Sequence, residues 1–213
     1  MLESKIISIF FVLALQSPTF STLENVYDDM IRSPITYEEL LDEATYNCRA
    51  RSAKDVPREL LDILVATEIK HGVPHQLRGI LLAAACHESG YDPMAEGDHK
   101  FDKKGKPKAI GLFQMWPWWT RNPPFGYGIE RTNPEQTAEA FILHIKKQIS
   151  KVKKRCRYRS KLKIWVAAWV HAIRAPKPSG RCFETPKHYR VLKRWRKEIM
   201  NKRKKVIEAG DGC

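Results

Sequence analysis

The sequence predicts a mainly α-helical, single-domain protein with one small β excursion, and three observations carry that prediction. Six segments place apolar residues at helical spacing, most of them bounded by Pro, Asn, Asp or Gly. One stretch, residues 92–110, is instead rich in Gly, Lys and Asp and has no helical period. The length of 213 residues suits one domain with a real core and short extensions.

The chain opens with features of an export signal. Lys5 precedes an apolar stretch, residues 6–15, broken only by Ser8, and Ser17-Pro18-Thr19-Phe20-Ser21 follows. That stretch is too short to span a bilayer and is followed by small residues suited to cleavage, so residues 1–21 are expected to be a signal peptide. The protein is therefore expected to be exported, to the periplasm or outside the cell, with no transmembrane segment in the mature chain.

Residues 22–54 form an expected N-terminal lead with one short helix, YEELLDEATY at 37–46. The main domain is expected over 55–213. It starts at Asp55-Val56-Pro57, a cap followed by a first-turn proline, and the helix behind carries Leu60, Leu61, Leu64 and Ile69 up to His71-Gly72. A second helix is expected from about Pro74, with Leu77, Ile80, Leu81, Ala84 and Ala85 on its apolar positions, ending at Gly90. KFDKKGKPKA, residues 100–109, predicts a hairpin turning at Lys104-Gly105. AIGLFQMWPWWTRNPPFGYG, residues 109–128, holds too many Pro, Gly and aromatic residues for regular structure. A helix from Asn133-Pro134 then buries Ala138, Phe141, Ile142, Ile145 and Ile149, and KLKIWVAAWVHAI forms the next. The last helix, basic and within residues 185–210, puts Tyr189, Leu192, Ile199 and Val206 on its apolar side.

The net charge of +14 is concentrated toward the C-terminus. From Lys146 onward there are 23 Lys and Arg against four acids, so the preceding part is net acidic. Such a basic half attracts polyanions, including anionic cell-wall polymers, or serves as a solvated face. The five cysteines include no CxxC pair, and no metal or organic cofactor is indicated. An oxidising compartment permits disulfides. Several pairings are open, with Cys156–Cys182 and Cys48–Cys213 expected and Cys86 left as a small buried thiol.

Glu88 ends the apolar run AAACHESG. In a helix's last turn it faces the negative end of the macrodipole, and Ala84 and Ala85 would limit its hydration. Both disfavour the charged form, which suits a general acid for a glycosidic oxygen. A solvent-facing Glu that merely ends a helix is the plainer alternative.

His87-Glu88-Ser89-Gly90, then Gly97-Asp98, Gly111-Leu112-Phe113-Gln114 and CFETPKHYRVL, with Glu184, Thr185 and Tyr189, resembles the lysozyme-like family of soluble lytic transglycosylases and goose-type lysozymes. The resemblance covers residues 55–195. It implies an α+β lysozyme-like fold and cleavage of the β-1,4 bond between N-acetylmuramic acid and N-acetylglucosamine in peptidoglycan strands. It implies Glu88 as the acid, Ser89 as a residue that orients it or binds substrate, and Gln114 with Met115 as a wall of the sugar groove. Tyr189 would touch substrate near the acid. The family's Ala-Tyr-Asn falls here on Ala168-Trp169-Val170, so Trp169 takes the aromatic place, the Asn is absent, and His171 is the polar group closest to it.

A lysozyme would need a second carboxylate about 6.5–9.5 Å from the acid if it inverts, whereas a lytic transglycosylase works with one. Asp98 is the expected catalytic partner and Asp102 the other candidate, either being equally suited to a turn. Among Trp116, Trp118 and Trp119, one is expected to present its face to a sugar ring, and Trp116 lies nearest Gln114. The enzyme is expected to act as a monomer. Two rivals remain open: a non-catalytic glycan-binding or wall-structural protein on the same fold, and a cationic membrane or nucleic-acid binder resting on the last helix. Nucleic acid is the least expected partner, because the apolar spacing of that helix suits packing on the domain.

Overall fold

A computed structural model describes residues 33–48, 56–156, 160–173 and 187–210. The expected leader, Cys182, Glu184, Thr185 and Cys213 lie outside them. Six α-helices and a two-stranded antiparallel sheet occur among the described residues, so the protein is mainly helical. No described helix is long and apolar enough to cross a membrane. The chain divides into two compact units, Pro34–Lys202 and one that takes in Ser33 and the chain from Arg203. In the smaller unit Arg203 Nη1 donates to Ser33 O at 2.9 Å and to Ser33 Oγ at 3.0 Å.

α1 (Tyr37–Asn47) starts at a full capping box. Thr36 Oγ1 accepts from Glu39 N while Glu39 Oε2 accepts from Thr36 N, so two amides that lack helical partners are satisfied. Its Leu40, Leu41 and Ala44 enter the core of the larger unit. α2 (Arg58–Lys70) follows Pro57 and buries Leu60, Leu61 and Leu64, but Ile69, expected on the same face, is 62 % exposed. Its apolar stripe ends one turn earlier than the sequence spacing suggests.

The helix expected from Pro74 begins later. His75–Leu77 forms a single 3-10 turn, Gly79 takes φ +88°, and only then does α3 (Ile80–Ser89) start. The break has a steric and a polar cause. A Cβ on Gly79 would lie 3.0 Å from Leu192 Cδ1 and 3.2 Å from Leu40 Cδ2. Glu68 of α2, fully buried, accepts from Gly79 N and Leu81 N, both at 2.7 Å, and from Tyr37 Oη at 3.1 Å. A carboxylate from another helix thus caps α3 in place of a local side chain. Every residue from 80 to 86 is buried, so α3 is enclosed rather than amphipathic. It ends at Gly90, at φ +66°, whose amide returns to Cys86 O at 3.1 Å.

Cys48, just past α1, is bonded to Cys86 in α3, with Cα atoms 5.6 Å apart. This corrects the expected Cys48–Cys213 pairing and the reading of Cys86 as a free thiol. The folded packing of α1 on α3 brings together two cysteines 38 residues apart, a proximity no spacing rule anticipates. Cys156 is also disulfide-bonded, and the Cys156–Cys182 pairing falls outside the described residues. Closing a 38-residue loop constrains the unfolded chain by about 4 kcal/mol. Replacing both Cys48 and Cys86 with Ala is therefore expected to lower unfolding free energy by about that amount, measurable by chemical denaturation without reductant.

After α3 the chain makes its excursion. β1 (Glu96–Gly97) pairs antiparallel with β2 (Ala109–Ile110), with Glu96 opposite Ile110 and Gly97 opposite Ala109. The expected turn exists, since Gly105 N donates to Asp102 O at 3.1 Å, but the paired residues lie mostly outside the stretch 100–109. α4 (Pro134–Arg155), capped by the Asn133 side chain on Gln136 N, packs on α2 and on α5 (Lys161–Ile173). α6 (Lys187–Gly210) buries Leu192, Trp195 and Ile199, whereas Val206 is 65 % exposed. The apolar face of that helix therefore does not extend to its last turns.

Candidate active site

Glu88 stands one residue before the end of α3, so its backbone belongs to the most enclosed helix while its side chain keeps 27 % exposure. Its Oε1 is in close contact with Nε2 of His188, the second residue of α6. His188 is 3 % exposed. Its ring packs at 5.6 Å against Trp169 of α5 and edge-on at 4.8 Å against His87. Tyr189 completes the wall, its ring 6.4 Å from Trp169 in a T-shaped arrangement. Three helices therefore converge on one carboxyl group.

Two features differ from the expected surroundings of Glu88. Its back is an imidazole rather than alanine alone, and Trp169 is completely buried behind that imidazole, with no face for a ligand. Among the described residues, the remaining ring nitrogen, His188 Nδ1, is buried without a hydrogen-bond partner. The engaged nitrogen, Nε2, is engaged on Glu88. His87 is exposed, yet burial of its ring and the adjacent His188 hold its pKa below the usual value, Glu88 opposing them.

Ser89 and Gln114 act on the backbone. Ser89 Oγ shares its hydrogen between Ala85 O at 3.1 Å and Leu112 O at 3.0 Å, tying the end of α3 to the Gly-Leu-Phe-Gln turn. Gln114, at φ +47°, donates from Nε2 to Ala95 O and Gly111 O, both at 3.1 Å. Its Oε1 sits where a Cβ on Gly97 would come within 2.2 Å, which is why that strand position has no side chain. Gly111, at φ +80°, is equally constrained, since a Cβ there would meet Arg131 O at 2.0 Å. Met115 is 2 % exposed and its backbone pairs with Ile110, so its side chain is part of the core and not of a groove wall.

The excursion carries the other candidates. Asp98, at φ +59°, accepts from Trp116 Nε1 at 2.9 Å. Trp116 is 38 % exposed and lies 5.6 Å from the ring of Phe101, itself 53 % exposed, so the two form an open aromatic surface beside a carboxylate. Asp102 accepts from Lys104 N at 2.8 Å and pairs with Lys108 Nζ at 3.7 Å. The Lys104 amide is the main cause that holds its carboxyl below the ordinary range. It is a turn residue by its partners. Trp119 is 5 % exposed and stacks at 4.3 Å on Trp118. Beside them Tyr127 Oη and His144 Nδ1 are hydrogen-bonded at 2.8 Å. Burial lowers the pKa of His144 to about 4 and raises that of Tyr127 to about 12, which keeps both neutral. Trp118 and Trp119 therefore pin the loop, and Trp116 is the tryptophan of the three with an open face.

His171 lines a cavity of about 410 Å³ with Lys151, Lys154 and Arg155. The Glu184 and Thr185 of the last motif are outside the described residues. The sequence reading missed His188 and Glu68. His188 lies 100 residues from its partner, and its single signal is its place immediately before Tyr189 in the last motif. Comparisons with protein-family models, with curated proteins and with solved structures return no match for this chain.

Proposed function

We propose that the protein is a glycosidase of the lysozyme-like family that cleaves the β-1,4 bond between N-acetylmuramic acid and N-acetylglucosamine, with Glu88 as general acid and then base. The observation that carries the reading is one partly exposed carboxyl at the end of an otherwise buried helix, backed by a buried imidazole. One proton lies between Glu88 Oε1 and His188 Nε2. With the proton on oxygen, Glu88 can give it to the glycosidic oxygen as the bond to the anomeric carbon breaks. With it gone, the same carboxylate can take a proton from the attacking hydroxyl.

The attacking hydroxyl is the sugar's own in a transglycosylase and water in a lysozyme. Asp102 is committed to its turn, and Asp98 is engaged by Trp116, which favours the route that needs a single carboxylate. Trp116 and Phe101 offer apolar faces suited to the C–H side of a sugar ring. Exposing purified sacculi to the protein and weighing the released muropeptides tests the reading: anhydro ends support a transglycosylase, reducing ends a lysozyme. Binding without release would favour the glycan-binding alternative and sink the enzymatic one.

Trp116→Ala is expected to raise KM for soluble glycan oligomers about 5- to 10-fold, the loss of one stacking face. Trp116→Phe, which keeps a ring but not the donor to Asp98, is expected to recover most of that loss. Equal defects in both variants would place the role of Trp116 in holding Asp98.

A further inference from the structure

His87, Glu88 and His188 place one imidazole nitrogen, one carboxylate oxygen and a second imidazole nitrogen within 4.8 Å of one another. The Glu88–His188 pair is already in contact, so the widest separation involves His87. His87 is exposed. A tetrahedral zinc ion sits about 2.0–2.2 Å from N and O donors, which places neighbouring donors about 3.3–3.5 Å apart. A rotation of the His87 side chain and a slight opening of the pair meet that requirement.

We propose that these three residues form a site for one divalent first-row transition-metal ion, zinc in the first instance, whose occupancy shuts off the Glu88 carboxyl. Two imidazoles exclude the oxygen-seeking ions magnesium and calcium as the preferred occupants. Two histidines and one glutamate with an open front match a three-ligand zinc site whose fourth position takes water. His188 is held by Trp169 on one side and His87 on another, so one donor is fixed before the metal arrives. The ion takes the place of the proton shared by Glu88 and His188, so binding releases that proton. The carboxyl can then neither give a proton to the glycosidic oxygen nor accept one. The inhibitory part rests on Glu88 being the acid; the binding part does not.

Zinc titration of the full chain by calorimetry, with chelator-treated protein, reads binding without reference to activity. One zinc per chain is expected, with His87→Ala and His188→Ala each weakening it more than about tenfold. His87 is exposed, so its variant is informative even if the loss of buried His188 disturbs folding. Cobalt should bind with the same dependence and show a visible absorption band that both variants lose. Muropeptide release by the metal-free protein should fall on adding zinc and return with chelator, and His87→Ala should lose a smaller fraction of its own metal-free rate. Absence of stoichiometric zinc binding, or binding that His87→Ala leaves intact, overturns the site. Zinc binding to a chain that releases no muropeptides without metal leaves the site standing and overturns the enzymatic reading instead.

Discussion

Glu88→Gln is expected to reduce muropeptide release from purified sacculi by about a thousandfold or more, while leaving the melting temperature within a degree or so of the parent. The amide is nearly the same size and still offers an oxygen to His188 Nε2, so the contact that fixes the end of α3 against α6 can persist. What it lacks is an exchangeable acidic proton. A glycosidic oxygen leaving without protonation carries full negative charge, and loss of general acid help alone accounts for about 10²- to 10⁴-fold. Mass spectrometry of the products with circular dichroism on the same preparation checks both halves. A variant that stays folded and retains release would remove Glu88 from the chemistry.

Glu68→Ala is expected to cost about 3–5 kcal/mol of stability. The carboxyl is fully buried and accepts from two backbone amides at the start of α3 and from the Tyr37 hydroxyl. Truncation leaves the amides of Gly79 and Leu81 without partners in a dry place, at about 1–3 kcal/mol each. Chemical denaturation of parent and variant at one pH measures the difference.

The same group sets a pH dependence. Burial is the main cause that pushes Glu68 up to about 7, against the pull of the Leu81 and Gly79 amides. Its folded pKa exceeds its unfolded one, so between about 4.5 and 7 the folded state holds more proton and stability falls as pH rises. The contribution is fully present below the lower value and lost above the upper one. The melting temperature of the parent relative to Glu68→Gln should therefore decline from pH 5 to pH 8. A difference that stays constant over that window would show that Glu68 does not titrate there.

The helices were legible because their signals are local. Thr36 and Glu39 are three residues apart and cap α1 by themselves, and Asn133-Pro134 opens α4 in the same way. Glu88 was legible for a related reason: an acidic residue at the end of an apolar run stands out within a dozen residues. Where a boundary depends on other helices, the reading failed. α3 starts at Ile80 instead of near Pro74 because Leu192 and Leu40 crowd Gly79 and Glu68 reaches across from α2. Ile69 and Val206 have the right spacing for burial and stay exposed.

Periodicity, caps and turn residues within one element thus fixed the helical class and the excursion after α3. Only the tertiary structure decided what Glu88 touches, which cysteine Cys48 meets and which aromatic rings remain open. His188 reaches Glu88 across 100 residues and Cys86 reaches Cys48 across 38. Such pairs arise when amphipathic faces bury against one another, and burial constrains only the apolar character of a face. Which polar groups are then brought into contact depends on the rotation and height of each packed helix, quantities that no local pattern encodes.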